Sequence, residues 1–520
     1  MPADAPPDAP AITPDGPAKV VVILLDSLNR HLLGSYGGTE FDTPRLDAFA
    51  ARSQRFTNHH TGSLPCIPAR HDLLCGAWDF LWKPWGSIEL WESAITTSLR
   101  AAGVTTCLVS DHPHLFETGG ENYHVDFRSW DYQRGHESDP WRTVRDPSWL
   151  GAPTFHRPRM PYDDSRGWFR GEDDFPGPRT MASAARWLRE EAPQHDRFLL
   201  LVDEFDPHEP FDTPEPWSSM YDADWDVDRD GAHLIWPPYA VDGVARGELT
   251  ERQGRQIRAQ YGAKLSMIDH WFGRVVAALE ETGRFDDTVV IVCTDHGHYL
   301  GEDDIWGKPG TWVRSTLGHI PLMVSWPGVG AATCDALTTT VDLHATMCDV
   351  FDVQPGHRTH GRSLRPLVDG SRASIRDHVL GGVWGREVHL VTDRWRSARS
   401  PRDGNHPLSM WSNRWSTMPV HADVEGMTWL PLPDHRAALD RMPGSSVPVI
   451  RQPFRDGDML PFWAWGGFSG DHLIDRVEDP DERVDLGPGS PHAADVAELL
   501  RTALIDVEAP DDQLERLGLD

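Results

Sequence analysis

Residues 265–297, LSMIDHWFGRVVAALEETGRFDDTVVIVCTDHG, carry the pattern from which the fold follows. The first half continues a helical period that starts near Arg252. Tyr261, Leu265, Ile268, Phe272, Val275 and Leu279 recur every three or four residues, so a long helix over 252–282 has one apolar face. Gly283 closes it, because glycine enters the left-handed conformation at a helix end without a Cβ penalty. Residues 288–294 then form an apolar, β-branched run, the pattern of a strand covered on both faces. That run ends at Asp295.

The same unit recurs on either side. Residues 20–25 (VVVILL) read as a buried strand ending at Asp26. A helix over 93–102, closed by Gly103, leads into a strand over 104–110. A helix over 179–191 precedes a strand over 198–203. Residues 44–51 read as a further helix and 321–325 as a further strand. The alternation predicts an α/β fold with a mainly parallel central sheet flanked by helices. Chemistry in such sheets collects at the carboxyl ends of strands, and Asp26, Asp111, the Asp206 segment and Asp295 all fall there. After about Ile375 the pattern changes to short alternating strands, over 383–397 and 471–477, with proline-rich connections. The expected organisation is a disordered lead-in over 1–18, a catalytic domain over 19–375 and a smaller α+β C-terminal subdomain over 376–520. Two long stretches, 123–179 and 211–247, are dense in Trp, Pro, Asp and Gly and read as ordered lids.

Composition narrows the function classes. The 520 residues are 39% hydrophobic and carry a formal charge of −31, which argues against nucleic acid and anionic membrane as partners. No apolar run approaches the roughly 20 residues of a membrane span. The first 18 residues have neither a basic start nor an apolar core, so they do not read as a secretory signal, and a cytoplasmic location is expected. The six cysteines (66, 75, 107, 293, 334 and 348) show no pairing pattern and fit a reducing compartment. Basic charge is nearly all arginine; the lysines are Lys19, Lys83, Lys264 and Lys308, which makes a lysine inside a motif notable.

Several segments carry residue types suited to catalysis. Cys66 and Arg70, in LPCIPAR over 64–70, stand four apart at a helix start, so both side chains lie on one face. The helix N-terminus offers N–H groups to an anion, and Arg70 can fork onto an oxyanion or a metal-bound carboxylate. Asp295 and His296 at a strand end are a normal pair for a divalent metal. Lys308, thirteen residues beyond Asp295, can reach an oxygen of a bound sulfate or phosphate. Asp26 would complete the metal site, although an aspartate ending a strand, read alone, is more often a helix cap. His208, held between Pro207 and Pro210, can protonate a departing alcohol. His112 and His114 suit a second metal site, supporting bases, or a plain polar loop.

Taken in order, these segments resemble the sulfatase family, which has the alkaline-phosphatase-like fold. Cys66-x-Pro68-x-Arg70 is similar to its signature, and residues 265–297 are similar to its helix–strand–Asp-His-Gly unit. Residues 301–327, 341–346, 360–364 and 473–486 match further family segments. The resemblance implies that Cys66 is oxidised to formylglycine by a formylglycine-generating enzyme. It implies that Asp26, Asp295, His296 and the modified residue 66 hold one divalent metal ion, and that Arg70 holds the aldehyde hydrate. His114 would handle the hydrate's proton, and His208 and Lys308 would bind the sulfate of a small-molecule sulfate ester and assist the leaving group. The chain also departs from the pattern. Ser27 stands where many members have a second aspartate, His296 where many have asparagine, and His112 where they often carry lysine, which puts His112 among the substrate-binding residues. An imidazole ligand makes Mn2+ an alternative to Ca2+. The same departures resemble the sister group that hydrolyses phosphonate monoesters and phosphodiesters, which is the alternative activity.

Overall fold

The computed structural model describes residues 18–149, 162–225, 235–415 and 433–520. Residues 1–17, the bulk of the expected lead-in, and parts of the two expected lids therefore lie outside the described residues.

The central sheet has eight strands: Lys19–Leu25 (β1), Gln54–Phe56 (β2), Thr105–Ser110 (β3), Ser129–Tyr132 (β4), Phe198–Glu204 (β5), Val289–Cys293 (β6), Leu322–Ser325 (β7) and Ala332–Cys334 (β8). Their order is β8-β2-β7-β6-β1-β5-β3-β4, and every strand except β7 runs in the same direction. The mainly parallel sheet read from the sequence is thus present, with short strands added at both edges.

Its two faces bury two separate cores, and β1 shows why. Side chains alternate along a strand. Val20, Val22 and Leu24 enter one core with Ile67, Leu73 and Leu74 of the helix Cys66–Cys75 and Leu343 of the helix Val341–Phe351. Val21, Ile23 and Leu25 enter the other with Leu265, Ile268 and Phe272 of the long helix Glu251–Glu281 and Met181 of the helix Pro176–Glu190. A strand that feeds two cores has no polar face, so its sequence does not alternate. Thr250 caps the long helix through the Gln253 N–H, and Gly283 ends it at φ +66°.

Beyond Val379 the chain builds a four-stranded antiparallel sheet from Val379–Gly382, Val388–Val391, Trp395–Arg399 and His472–Asp475, in that order. A three-stranded sheet of Leu408–Ser412, Pro448–Phe454 and Ala438–Arg441 accompanies it. Leu380, Val388 and Leu390 pack on Trp78, Leu81 and Trp82, which follow the Cys66 helix directly. The Leu64 N–H donates to the Gly382 carbonyl at 2.9 Å. The C-terminal sheet therefore braces the segment that presents Cys66. No helix among the described residues is long and apolar enough to cross a membrane, and the described cysteines are all free thiols.

Candidate active site

Four parallel strands deliver their C-terminal residues to one place. β1 leads into Asp26, β6 into Asp295 and His296, β5 contains Asp203 and leads into His208, and β3 leads into His112 and His114. The Cys66 helix ends its N-terminus against this row. All ten of its residues are buried. Asp72, one turn beyond Ala69, accepts from the Ser63 N–H at 2.7 Å and from the Ser63 hydroxyl at 2.6 Å, which pins the loop before Cys66.

Asp26, Cys66, Asp295 and His296 place one potential ligand atom each so that all lie within 4.8 Å of one another. Cys66 Sγ is 3.3 Å from His296 Nε2. His296 Nδ1 lies 2.8 Å from the Gly297 carbonyl, so it carries the proton and turns the Nε2 lone pair toward the group. Gly297 is required because a Cβ there would sit 1.9 Å from the Thr316 carbonyl oxygen. Asp295 Oδ1 accepts from the backbone N–H groups of Ser27 (3.1 Å) and His296 (2.8 Å), leaving Oδ2 to face inward. Asp26 Oδ1 accepts from the Ser27 hydroxyl at 2.7 Å, and the fully buried Asp26 Oδ2 is met by the Arg70 guanidinium at 2.8 Å. Ser27 adopts φ +61°, a conformation that costs a side-chain-bearing residue about 1 kcal/mol or more. Ser27 thus orients Asp26 through its hydroxyl instead of offering a carboxylate.

Two buried carboxylates that share one arginine nitrogen, beside a directed imidazole, are a donor set that fits a divalent cation. Without the cation the charges oppose each other. Burial and the neighbouring Asp295 carboxylate push Asp26 well above the usual range. Asp295 is held below that range by His296 and Arg70, which outweigh its burial. Burial and the Asp26 carboxylate raise the Cys66 thiol well above its ordinary value, so an unmodified Cys66 is a poor nucleophile here.

Arg70 is the hub of the arrangement. Nε lies 3.1 and 3.2 Å from the two Asp203 oxygens, and Nη2 donates to Asp203 Oδ1 at 2.7 Å. Nη1 reaches Asp295 Oδ2 at 2.5 Å and Asp26 Oδ2 at 2.8 Å. The guanidinium fork of Nε and Nη2 thus closes on Asp203, and Nη1 alone reaches both Asp26 and Asp295. Asp203, its anchor, is absent from the residues read as functional. The available signal was a carboxylate inside an otherwise apolar strand, LLLVDE over 199–204.

The remaining expected residues gather around the same point. Lys308 Nζ lies 2.6 Å from His208 Nε2, and His208 Nδ1 is 2.7 Å from the Glu209 carbonyl. His208 is therefore neutral with its proton on Nδ1, and burial followed by the Lys308 charge keeps its pKa far below the ordinary value. Lys308 stays charged, since Glu209 outweighs the burial that would lower it. His112 Nε2 is 3.7 Å from Asp26 Oδ2, and neither ring nitrogen has a hydrogen-bond partner among the described residues. Burial and the Arg70 charge keep it neutral.

His114 differs. Its Nδ1 is bonded to Glu117, and its Nε2 lies 3.3 Å from Glu137. Burial alone would lower its pKa, yet the hydrogen bonds to Glu117 and Glu137 raise it to about 10. His114 is a paired imidazolium at neutral pH, so the resting protein does not hold it as a base. A second convergent group, His71, Cys75 and Glu92, lies further along the Cys66 helix. Its Glu92 already accepts from His71 at 2.8 Å and Lys83 at 3.0 Å.

The family profile "Sulfatase" matches residues 18–353. The chain belongs to the sulfatase family. It is 27% identical over 419 residues to the choline-sulfatase of Rhizobium meliloti (strain 1021), covering 73% of this chain and 78% of that protein. It is 26% identical over 418 residues to the multifunctional alkaline phosphatase superfamily protein PehA of Trinickia caryophylli, covering 70% and 77%. In fold it is similar to the phosphonate monoester hydrolase of Agrobacterium radiobacter, with a TM-score of 0.62, 18% identity and 95% of each chain covered. A sulfatase is a sulfuric ester hydrolase, and the fold is alkaline-phosphatase-like, as the sequence motifs imply.

Proposed function

We propose that this sulfatase hydrolyses a small-molecule sulfate ester with one divalent cation and with Cys66 matured to formylglycine by a formylglycine-generating enzyme. The observation that carries the reading is the convergence of Asp26, Asp295, His296 and Cys66 within 4.8 Å, with the two buried carboxylates sharing a single Arg70 nitrogen beside a directed imidazole. Asp26, Asp295, His296 and the modified residue 66 would hold Ca2+ or Mn2+; the imidazole ligand favours Mn2+. When bound, the cation lowers the pKa of a hydroxyl and neutralises developing negative charge. Matured residue 66 supplies a geminal diol, one hydroxyl to attack sulfur and the other to expel sulfate afterwards.

The chain's own residues supply the rest. Arg70, held by Asp203, fixes the two metal-site carboxylates and presents its charge beside residue 66. The charged Lys308, rather than neutral His208, donates the proton to the departing alcohol oxygen. His208 orients Lys308 by accepting from it. His112, with both ring nitrogens free, is the base for the second hydroxyl, a role the family pattern assigns to His114. The paired imidazolium of His114 supports the wall beside His112, at a ring separation of 5.3 Å.

The alternative, hydrolysis of phosphonate monoesters or phosphodiesters, draws on one observation: His112 places no charge where many sulfatases have lysine. Two measurements test the reading. Intact mass of the protein from its native host should be about 18 Da below the sequence mass, the difference between thiol and aldehyde. Aryl sulfate should be turned over faster than the corresponding aryl phosphonate monoester; the reverse order favours the alternative. A Cys66 that is never modified would overturn both.

A further inference from the structure

Glu209 sits where an anion-binding site has least use for a carboxylate. Its side chain is 3% exposed, and its neighbour Pro210 and the nearby Pro207 stiffen the loop that carries it. Oε1 accepts from the Tyr239 hydroxyl. Oε2 accepts no hydrogen bond and faces three basic groups: His208 Nδ1 at 3.4 Å, His298 Nδ1 at 3.7 Å and Lys308 Nζ at 3.8 Å. Of the three, the Lys308 ammonium is the full cation, and it is the charge this carboxylate balances. Lys308 Nζ also stands 5.8 Å from the centre of the Tyr239 ring.

A second such pairing is that of Asp203 with Arg70. Each of these two cations therefore has its own buried carboxylate partner. Such a carboxylate costs affinity for any anion, and the cost rises with each negative charge the anion carries, because buried charges interact strongly through the protein interior.

We propose that Glu209 is a positioning and specificity-determining residue. It holds Lys308 against His208 and, by cancelling the Lys308 charge, tunes the site to esters with one negative charge over esters with two. This rests on the sulfate-ester reading above. Sulfate esters, phosphonate monoesters and phosphodiesters carry one charge, whereas phosphate monoesters carry two.

The test uses non-hydrolysable probes, so it reads binding apart from turnover. Benzenesulfonate carries one charge, and phenylphosphonate carries two at pH 8.5. Titration calorimetry of the metal-loaded protein should show tighter binding of benzenesulfonate. Glu209→Gln should move the ratio of the two dissociation constants at least tenfold toward phenylphosphonate. Glu209→Asp, which keeps the charge, should leave the ratio within threefold of the parent, whereas a purely structural role would weaken both ligands together in both variants. The kcat/KM ratio for aryl phosphate over aryl sulfate should rise in Glu209→Gln by a similar factor. An unchanged ratio in Glu209→Gln, or an equal shift in Glu209→Asp, overturns the inference while leaving sulfate-ester hydrolysis standing. A wild-type protein that binds both probes and turns over neither ester class overturns the proposed function instead, and the binding ratio still judges Glu209.

Discussion

Asp203→Asn tests whether Arg70 is held in place by its buried partner. The wild-type contact is bidentate, with Nε and Nη2 of Arg70 at 2.7–3.2 Å from the two Asp203 oxygens, and both side chains are 1% exposed. Asparagine keeps one acceptor and loses the charge and the second oxygen. Hydrogen bonds to charged groups contribute about 1.5–3 kcal/mol each, and removing one partner of a buried ion pair costs about 3–5 kcal/mol. Because Asn retains part of the contact, a loss of about 3 kcal/mol is expected. For 520 residues unfolding together, the unfolding entropy corresponds to about 1.1 kcal/mol per degree, so the melting temperature should fall by about 3 °C. A second readout separates this role from generic packing. Arg70 also reaches Asp26 and Asp295, so loosening it should cost about 10–100-fold in metal affinity, the range seen when groups supporting metal ligands are lost. Calorimetric unfolding and competition with a metal chelator measure the two quantities. Unchanged metal affinity would refute the view that Asp203 acts through Arg70 on the cation site, whatever happens to the melting temperature.

Other expectations follow from the same geometry. Lys308→Ala should lose about 2–4 kcal/mol of transition-state stabilisation in kcat/KM, the cost of removing one preorganised donor, and a near-unchanged rate would remove Lys308 from the site. Cys66→Ala should abolish turnover and Cys66→Ser should show at most one slow sulfation of the protein, read by mass; repeated turnover by the serine variant would contradict the diol mechanism. His114 has a folded pKa of about 10 against about 6.5 for a free imidazole, so the folded state binds the extra proton between those values. Its stabilisation is full below about pH 6.5 and fades as pH rises toward 10. The stability gap between wild type and His114→Gln, from denaturant unfolding, should therefore narrow between pH 6 and pH 10, and a gap that widens would refute the paired imidazolium.

The sheet was legible because β1, β3, β5 and β6 are buried on both faces and so carry short apolar cores, VVVILL, CLV, FLLLV and VVIVC, without polar alternation. Gln54–Phe56, Ser129–Tyr132 and Ala332–Cys334 escaped the reading, being strands of three or four residues at or next to the sheet edges, too short for sequence alone to separate from loops. Residues 404–470, hard to assign from their pattern, contain the three-stranded sheet, whose strand Ala438–Arg441 is largely exposed and so lacks an apolar period.

The site divides along a similar physical line. Residues proposed to meet the substrate or the cation stand in motifs, because their chemistry fixes their type and local spacing. The residues that set the charge state of those groups do not. The roles of Asp203, Glu209, Glu117 and Glu137 follow from what they touch, which for Asp203 lies 133 positions away at Arg70. They decide the outcome nonetheless. His112 and His114 are two residues apart and look alike in sequence, yet one is a neutral imidazole beside Asp26 and the other a cation between two glutamates. Local spacing names the candidates for proton transfer, and the long-range carboxylates determine which of them is free to accept a proton.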